Sequence, residues 1–329
     1  MDIRSVLLIG GSGFVGTQLA EHLCDFGLHV TVPTRHRERA KQLLPLPTTE
    51  VIEADVHDPA ELERLIRGQD AIINAVGVLH SRAGTPYGPD FARAHVELPR
   101  KIVAASRKHG IKRLLHISAL KADSDGPSAY LRSKGDGEAT IRQADASTDD
   151  AGSPVGWTVF QPSVIFGPKD GFLNMFADLA RTFPVLPLGC PDARFQPVFV
   201  EDVAAAVVAS LTDASTRGRT YELCGPKVYT LRQLVEYVGE LIDCRRPIIG
   251  LSQRLSYLQA RLLELAPGSL MSRDNVDSMK VDNVCSGCAQ PEYVMTRRAP
   301  TALESVAPTY LGQHHPRARY SPFRSKARR

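Results

Sequence analysis

Over the first 160 residues, short apolar runs alternate with stretches in which apolar residues recur every three or four positions. That is the sequence form of repeated strand–helix units. The runs predict strands over residues 6–9, 30–32, 50–53, 71–75, 114–117 and 158–160. The helical spacing predicts helices over 14–26, 38–44, 59–67, 91–109 and 130–143. Several of the runs are nearly uninterrupted, as strands covered on both faces are. Parallel strands need crossovers of this kind, so the pattern predicts an α/β fold built on a doubly wound parallel sheet.

A polar, small-residue stretch at 144–156 reads as a surface loop before the last of these strands. Beyond Pro162 the pattern loosens and Gly and Pro punctuate it, with helices predicted over 172–181, 200–211, 231–242 and 251–265. In the last of these, residues 251, 255, 258, 262 and 265 are all apolar and fall on one face. The expected organisation is a dinucleotide-binding domain over 1–165, a smaller lobe over 166–312 packed on it, and a flexible basic tail over 313–329.

Composition narrows the classes. With 43% hydrophobic and 23% charged residues, the 329-residue chain can bury a sizeable core. The net charge of +4 is too small to suggest nucleic acid as a partner, and residues 314–329 hold six Lys/Arg and no acid, leaving the body near neutral. No apolar run approaches the ~20 residues needed to cross a bilayer. Residues 6–9 lack the length and cleavage site of a signal peptide. Six cysteines scattered through so long a chain are unlike a disulfide framework, and a reducing, cytoplasmic compartment is expected.

The first strand runs straight into Gly10-Gly11-Ser12-Gly13-Phe14-Val15-Gly16. Glycine allows the tight turn and lets a pyrophosphate approach the backbone. The helix start then offers free N–H groups to the phosphates. Strand, turn, helix and next strand follow at the spacing of a dinucleotide site, with Gly10, Gly13, Phe14, Val15 and Gly16 as its cradle. An NAD-specific site places an acid at the end of the second strand. Here that strand ends Thr34-Arg35-His36-Arg37, with no acid before Glu38. A 2′-phosphate would pair with Arg35, so NADP(H) is favoured over NAD(H); otherwise Arg35 and Arg37 merely solvate a helix start. Asp55, followed by Val56, is placed to meet the adenine, or else caps the helix that begins at Pro59.

Ser118 stands at the end of the fifth predicted strand, and Tyr130 and Lys134 sit four apart on one face of the next helix. A tyrosine titrates near ~10 and needs a nearby ammonium to release its proton at neutral pH. A strand-end hydroxyl beside it would hold a substrate carbonyl, which makes Ser118, Tyr130 and Lys134 the candidate catalytic set.

These residues, together with Asn74-Ala75-Val76-Gly77, resemble the extended and atypical short-chain dehydrogenase/reductase superfamily. Three further segments resemble one branch of it: Gln161-Pro162-Ser163-Val164-Ile165-Phe166-Gly167-Pro168, Phe195-Gln196-Pro197-Val198-Phe199-Val200-Glu201-Asp202-Val203-Ala204, and Tyr221-Glu222-Leu223-Cys224-Gly225-Pro226. That branch contains the nucleotide-binding accessory subunit of respiratory complex I and its bacterial relatives, and the similarity spans about residues 4–312. The resemblance implies a Rossmann-type domain with bound NADP(H) or NAD(H), to which Ala75, Gly77, Lys134 and Pro162 would contribute. It also questions catalysis, because the complex I subunit holds its nucleotide structurally. Active reductases of the superfamily often carry an Asn where this chain has His95, which either replaces a proton relay, marks a site no longer tuned for turnover, or simply meets water.

Two further features carry less. Cys285 and Cys288 are spaced for metal or redox chemistry, but no second ligand pair lies nearby, and no metal site is assigned. The 251–265 helix, with Arg254 and Arg261, and the basic tail suit peripheral contact with a membrane's inner face or a respiratory complex, although most such stripes pack on their own domain. The sequence therefore ranks first an NADP(H)-dependent oxidoreductase acting on a carbonyl or quinone-like substrate. Behind it stand a non-catalytic nucleotide-holding accessory protein of a respiratory NADH dehydrogenase, and a nucleotide-sugar epimerase or dehydratase.

Overall fold

The computed structural model describes residues 3–145, 154–264, 271–287 and 299–312. The tail at 313–329, most of the loop at 144–156, Leu265 and Cys288 lie outside those residues.

Strand β1 (Ser5–Ile9) ends where the glycines begin, and α1 (Phe14–Asp25), β2 (His29–Thr34) and β3 (Thr49–Glu53) follow. A 3-10 segment, Arg37–Leu43, stands where an α-helix was expected. Helix α2 (Pro59–Ile66) opens on a proline, with the Asp58 carboxylate accepting from the amides of Ala60 and Glu61. After β4 (Ala71–Asn74), a single turn α3 (Pro89–Phe91) passes through a π-helical stretch, Ala92–Glu97, into α4 (Leu98–Lys108). The chain continues with β5 (Arg113–Ile117), α5 (Ala129–Arg142), β6 (Gly156–Pro162), β7 (Ile165–Phe166), α6 (Leu173–Thr182) and β8 (Leu186–Leu188). Then come β9 (Arg194–Phe195), β10 (Val198–Phe199), α7 (Val200–Thr212), β11 (Arg219–Leu223), β12 (Tyr229–Thr230) and α8 (Leu231–Leu241). The last elements are β13 (Ile248–Gly250), α9 (Gln253–Leu263), α10 (Arg273–Ser278) and α11 (Leu303–Leu311).

Seven strands form one sheet in the order β11-β6-β5-β4-β1-β2-β3, and every pairing in it is parallel. The order reverses between β1 and β4, which is where an open α/β sheet leaves a crevice at the carboxyl ends of its strands. Leu7, Ile9, Leu62, Ile66, Ile72, Ile102, Leu114 and Val159 form one buried cluster in the core.

The chain divides into two units. The first holds the described residues of 1–163, 200–223 and 285–299. Thus α7 and β11 return to the large sheet, where β11 pairs with β6 from Arg219–Thr158 to Leu223–Pro162. Arg113, fully buried in this unit, donates to Gly156 O, Ser210 O and the hydroxyls of Thr158 and Thr216. These bonds tie β5, β6 and α7 to the turn before β11.

The second unit is a set of helices and two-stranded ribbons: β7–β10, β9–β12 and β8–β13. Asp170 caps α6 by accepting from Leu173 N at 2.6 Å, and Tyr310 of α11 donates to its other oxygen at 2.8 Å. Within this unit α9 does not bury its leucine stripe. Its buried residues are Ser256 and Ala260, while Leu255, Leu258 and Leu262 are exposed. Cys24, Cys190 and Cys244 are free, whereas Cys224 and Cys285 are disulfide-bonded and so depart from the reduced state expected of them. No helix among the described residues is long and apolar enough to cross a membrane.

Candidate nucleotide site

The first unit places the glycine turn between the end of β1 and the start of α1. Gly10 has φ +87°, and a Cβ there would lie 2.9 Å from the carbonyl carbon of Ala75. Both facts require glycine. A Cβ on Gly16 would lie 2.2 Å from Gly10 O, so the first turn of α1 can approach the loop only without a side chain. Gly13 donates its amide to Gly10 O at 3.1 Å and caps α1 with no side chain over the helix end. The amides of Phe14, Val15 and Gly16 therefore open the helix at a turn whose Gly13 is exposed, the arrangement that receives an anion.

At the next strand end, Thr34 is buried and Arg35 exposed. The first acid beyond, Glu38, pairs with Lys41. Asp55 accepts from His57 N at 3.0 Å and pairs with Arg93 at 3.3 Å. Because Asp58 caps α2, Asp55 is not the capping residue. Burial, then the charge of Arg93, holds the His57 pKa down, with Lys101 and Arg35 adding to the effect. Arg35 and the Asp55–His57 turn thus share one corner of the sheet. Val56 packs partly buried on the core.

The third side is built from β4, β5 and α5. Asn74 is fully buried; its Oδ1 accepts from Val76 N at 3.2 Å and its amide nitrogen meets His116 Nδ1 at 3.1 Å. Lys134, on the buried face of α5, donates to Ile117 O at 3.3 Å. A Cβ on exposed Gly77 would sit 3.4 Å from Lys134 Nζ, so the ammonium reaches up beneath that glycine. Burial lowers the Lys134 pKa to about 8, and Glu138 one turn on pulls it back upward. Glu138 is itself buried; it accepts from Gln161 at 2.8 and 3.0 Å and from Arg142 at 2.6 Å. Burial nonetheless raises its pKa. Ser118 Oγ lies close enough to that carboxyl to lower its pKa but makes no well-aligned hydrogen bond. Pro162 is buried at the end of β6, its carbonyl accepting from Leu120 N at 2.9 Å.

Tyr130 sits half-buried in the first turn of α5, which Ser128 caps by accepting from Leu131 N at 3.1 Å. The ring packs edge-on against His95 at 5.6 Å and Phe91 at 5.9 Å. His95 does not meet water. It is 1% exposed; its Nε2 accepts from Val78 N at 3.1 Å and its Nδ1 pairs with Ser133 Oγ at 2.8 Å. Ser133 in turn donates to Tyr130 O at 2.8 Å. An Nε2 that accepts a backbone N–H must be bare, which fixes the neutral Nδ1–H tautomer. Burial, with Lys134 and His116 nearby, lowers the His95 pKa to about 2.

The structure therefore brings Ser118, Tyr130, Lys134 and Gly77 to one region of the first unit, with the glycine turn held against Ala75. Sequence reasoning missed Glu138 and His116. Glu138 continues the four-residue spacing of Tyr130 and Lys134, a signal that was available. His116 is a buried strand residue with no such signature.

The profile of the NAD dependent epimerase/dehydratase family matches residues 6–224. The chain belongs to that family. It is an NAD(P)-binding protein with a Rossmann-type sheet and a smaller second unit. It is 31% identical over 242 residues to the mitochondrial NADH dehydrogenase [ubiquinone] 1 alpha subcomplex subunit 9 of Arabidopsis thaliana, covering 71% of this chain and 57% of that protein. Over 209 residues it is 32% identical to the ceramide reductase of Caulobacter vibrioides, covering 63% and 61%. The chain thus spans about three fifths of the length of these curated relatives. An NADPH-dependent quinone oxidoreductase of Escherichia coli complexed with NADPH shares the fold, with a TM-score of 0.69 at 19% identity over 92% of this chain and 98% of that one.

Proposed function

We propose that this chain holds NADP(H) as a resident nucleotide and serves a membrane respiratory NADH dehydrogenase as an accessory protein. The pyrophosphate would lie on Gly10, Gly13, Phe14, Val15 and Gly16, and the 2′-phosphate against Arg35. Asp55 and Val56 would border the adenine, while Ala75, Gly77, Lys134 and Pro162 would border the nicotinamide half. When bound, the nucleotide supplies a hydride donor or acceptor.

The observation that carries the reading is the closed circuit at His95. The chain from Val78 N–H through both ring nitrogens and Ser133 Oγ to Tyr130 O uses every donor it contains and leaves neither ring nitrogen open. A general acid must recover its proton after each turnover. The residue at the expected relay position is neutral, walled in and already committed, so it passes no proton to Tyr130. The respiratory relatives support the same reading.

A reductase of a carbonyl or quinone-like substrate is the second reading, favoured by the retained Ser118, Tyr130 and Lys134 and by the likeness to a ceramide reductase. Mass identification of the small molecules that leave the purified protein on denaturation separates the readings. Stoichiometric NADP(H) with no turnover of carbonyls, quinones or nucleotide sugars is expected. Turnover of any of these, with the nucleotide exchanging freely, would replace the accessory role by an enzymatic one.

A further inference from the structure

Helix α9 is amphipathic the wrong way round for a helix that only packs on its own unit. At about 100° per residue, Leu255, Leu258 and Leu262 fall within about 60° of one another, on the side roughly 150° round from the buried Ser256 and Ala260. The buried side is small and polar: Ser256 Oγ accepts from Cys190 N at 3.3 Å, and Gln259 donates to Pro187 O at 2.7 Å. The leucines are 50%, 54% and 61% exposed. Arg254 and Arg261, both exposed, lie together along one edge of the leucine row. The acid that caps this helix's carboxyl end, Glu264, is turned to Arg273 at 3.0 Å. The β8–β13 ribbon beneath α9 adds Ile249, 55% exposed and in register with exposed Pro187.

We infer that this face of α9 docks the protein on an anionic lipid surface. Two features favour lipid over a protein partner. The row is leucine alone, whereas protein interfaces concentrate their energy in Trp, Tyr and Arg seated in pockets and under-use leucine. Arginines beside a leucine row place guanidinium groups at headgroup level while the leucines enter the acyl boundary. Charge complementarity extends along the chain, since residues 314–329 add six Lys/Arg and no acid. The inference does not depend on the nucleotide reading.

The test is sedimentation of the full chain with vesicles of phosphatidylglycerol and phosphatidylcholine in about equal parts, with pure phosphatidylcholine as control. The parent should bind the anionic vesicles, and salt at ~0.5 M should weaken it. A triple variant, Leu255→Ser, Leu258→Ser and Leu262→Ser, should bind at least about tenfold more weakly with an unchanged melting temperature, since these side chains are exposed. Arg254→Glu with Arg261→Glu should cost several-fold, and nucleotide-stripped protein should bind as the parent does. Equal binding by the leucine variant would assign the attraction to the basic tail and overturn the proposal. So would failure of the parent to bind any vesicle, and a leucine-dependent dimer in light scattering would then give the face to a second copy.

Discussion

Gly16 is held by contact rather than by dihedral angle, since a Cβ there would stand 2.2 Å from a backbone oxygen that cannot swing away. Gly16→Ala should lose nucleotide binding and destabilise the fold by about 1–3 kcal/mol, the usual cost of overpacking. Gly171→Ala, where a Cβ meets nothing within 4 Å, is the matched control and should change neither binding titration nor melt. Arg35 acts through charge. It is exposed at the end of β2 with its nearest following acid already paired to Lys41, so NADPH should bind more tightly than NADH. Arg35→Asp should reverse that order in parallel titrations, and tighter NADH binding to the unmodified chain would sink the NADP(H) assignment. At Tyr130 the prediction is conditional on turnover. Any reductase activity found should fall at least about a hundredfold in Tyr130→Phe while cofactor still binds, the low end for losing a positioned acid.

The run from Phe91 to His109 reads in sequence as one helix, yet it is the end of a turn, a π-helical stretch and a helix that stops at Lys108. The widened stretch holds His95 inward against α5, where a Cβ on Gly137 would meet His95 O at 2.1 Å. His95 and His116 both have folded pKa values far below 6.5, at about 2 and about 3, each mainly from burial. As pH falls through 6.5 the unfolded chain takes up protons that the folded chain refuses, so stability is lost on acidification. Each histidine contributes up to about 1.4 kcal/mol per pH unit below that point. Melting curves between pH 7 and 5 should show this slope, and His95→Gln, though less stable at pH 7, should show a shallower one. A melt flat over that range would contradict the burial of both rings. Elements were legible where one physical demand governed many residues. The uninterrupted runs of β1, β4 and β5 announce strands buried on both faces, and the glycine spacing announces α1. Edge strand β11 carries mixed, half-exposed residues and has no such signature, and ribbons of two or three residues are too short to show alternation. A π-helical stretch keeps nearly the same apolar spacing as an α-helix, so it is silent too. The leucine stripe of α9 was visible, but a stripe does not say whether protein or something else covers it.

At the scale of the molecule, the accessory and enzymatic readings differ in one thermodynamic quantity. A nucleotide that binds only the folded chain stabilises it by the logarithm of its concentration over its dissociation constant, about 2.7 kcal/mol at a hundredfold excess. A resident nucleotide lies at or beyond that excess by definition, whereas a cofactor that leaves after each turnover sits near its dissociation constant and adds little. The first unit is where this energy would appear. Gly13 of its glycine turn is exposed, and Lys134 lies buried near Glu138, with the Lys134 ammonium adding to the lowering of the pKa of both His95 and His116. Without an anion above it, such a site carries the cost of a desolvated ammonium. The accessory reading therefore expects nucleotide to survive gel filtration and melting to fall sharply once it is stripped. Adding back NADPH should restore the melt more fully than NADH. Protein that loses its nucleotide on simple dilution, with no change in melting temperature, would count against a resident role and return the site to the reductases.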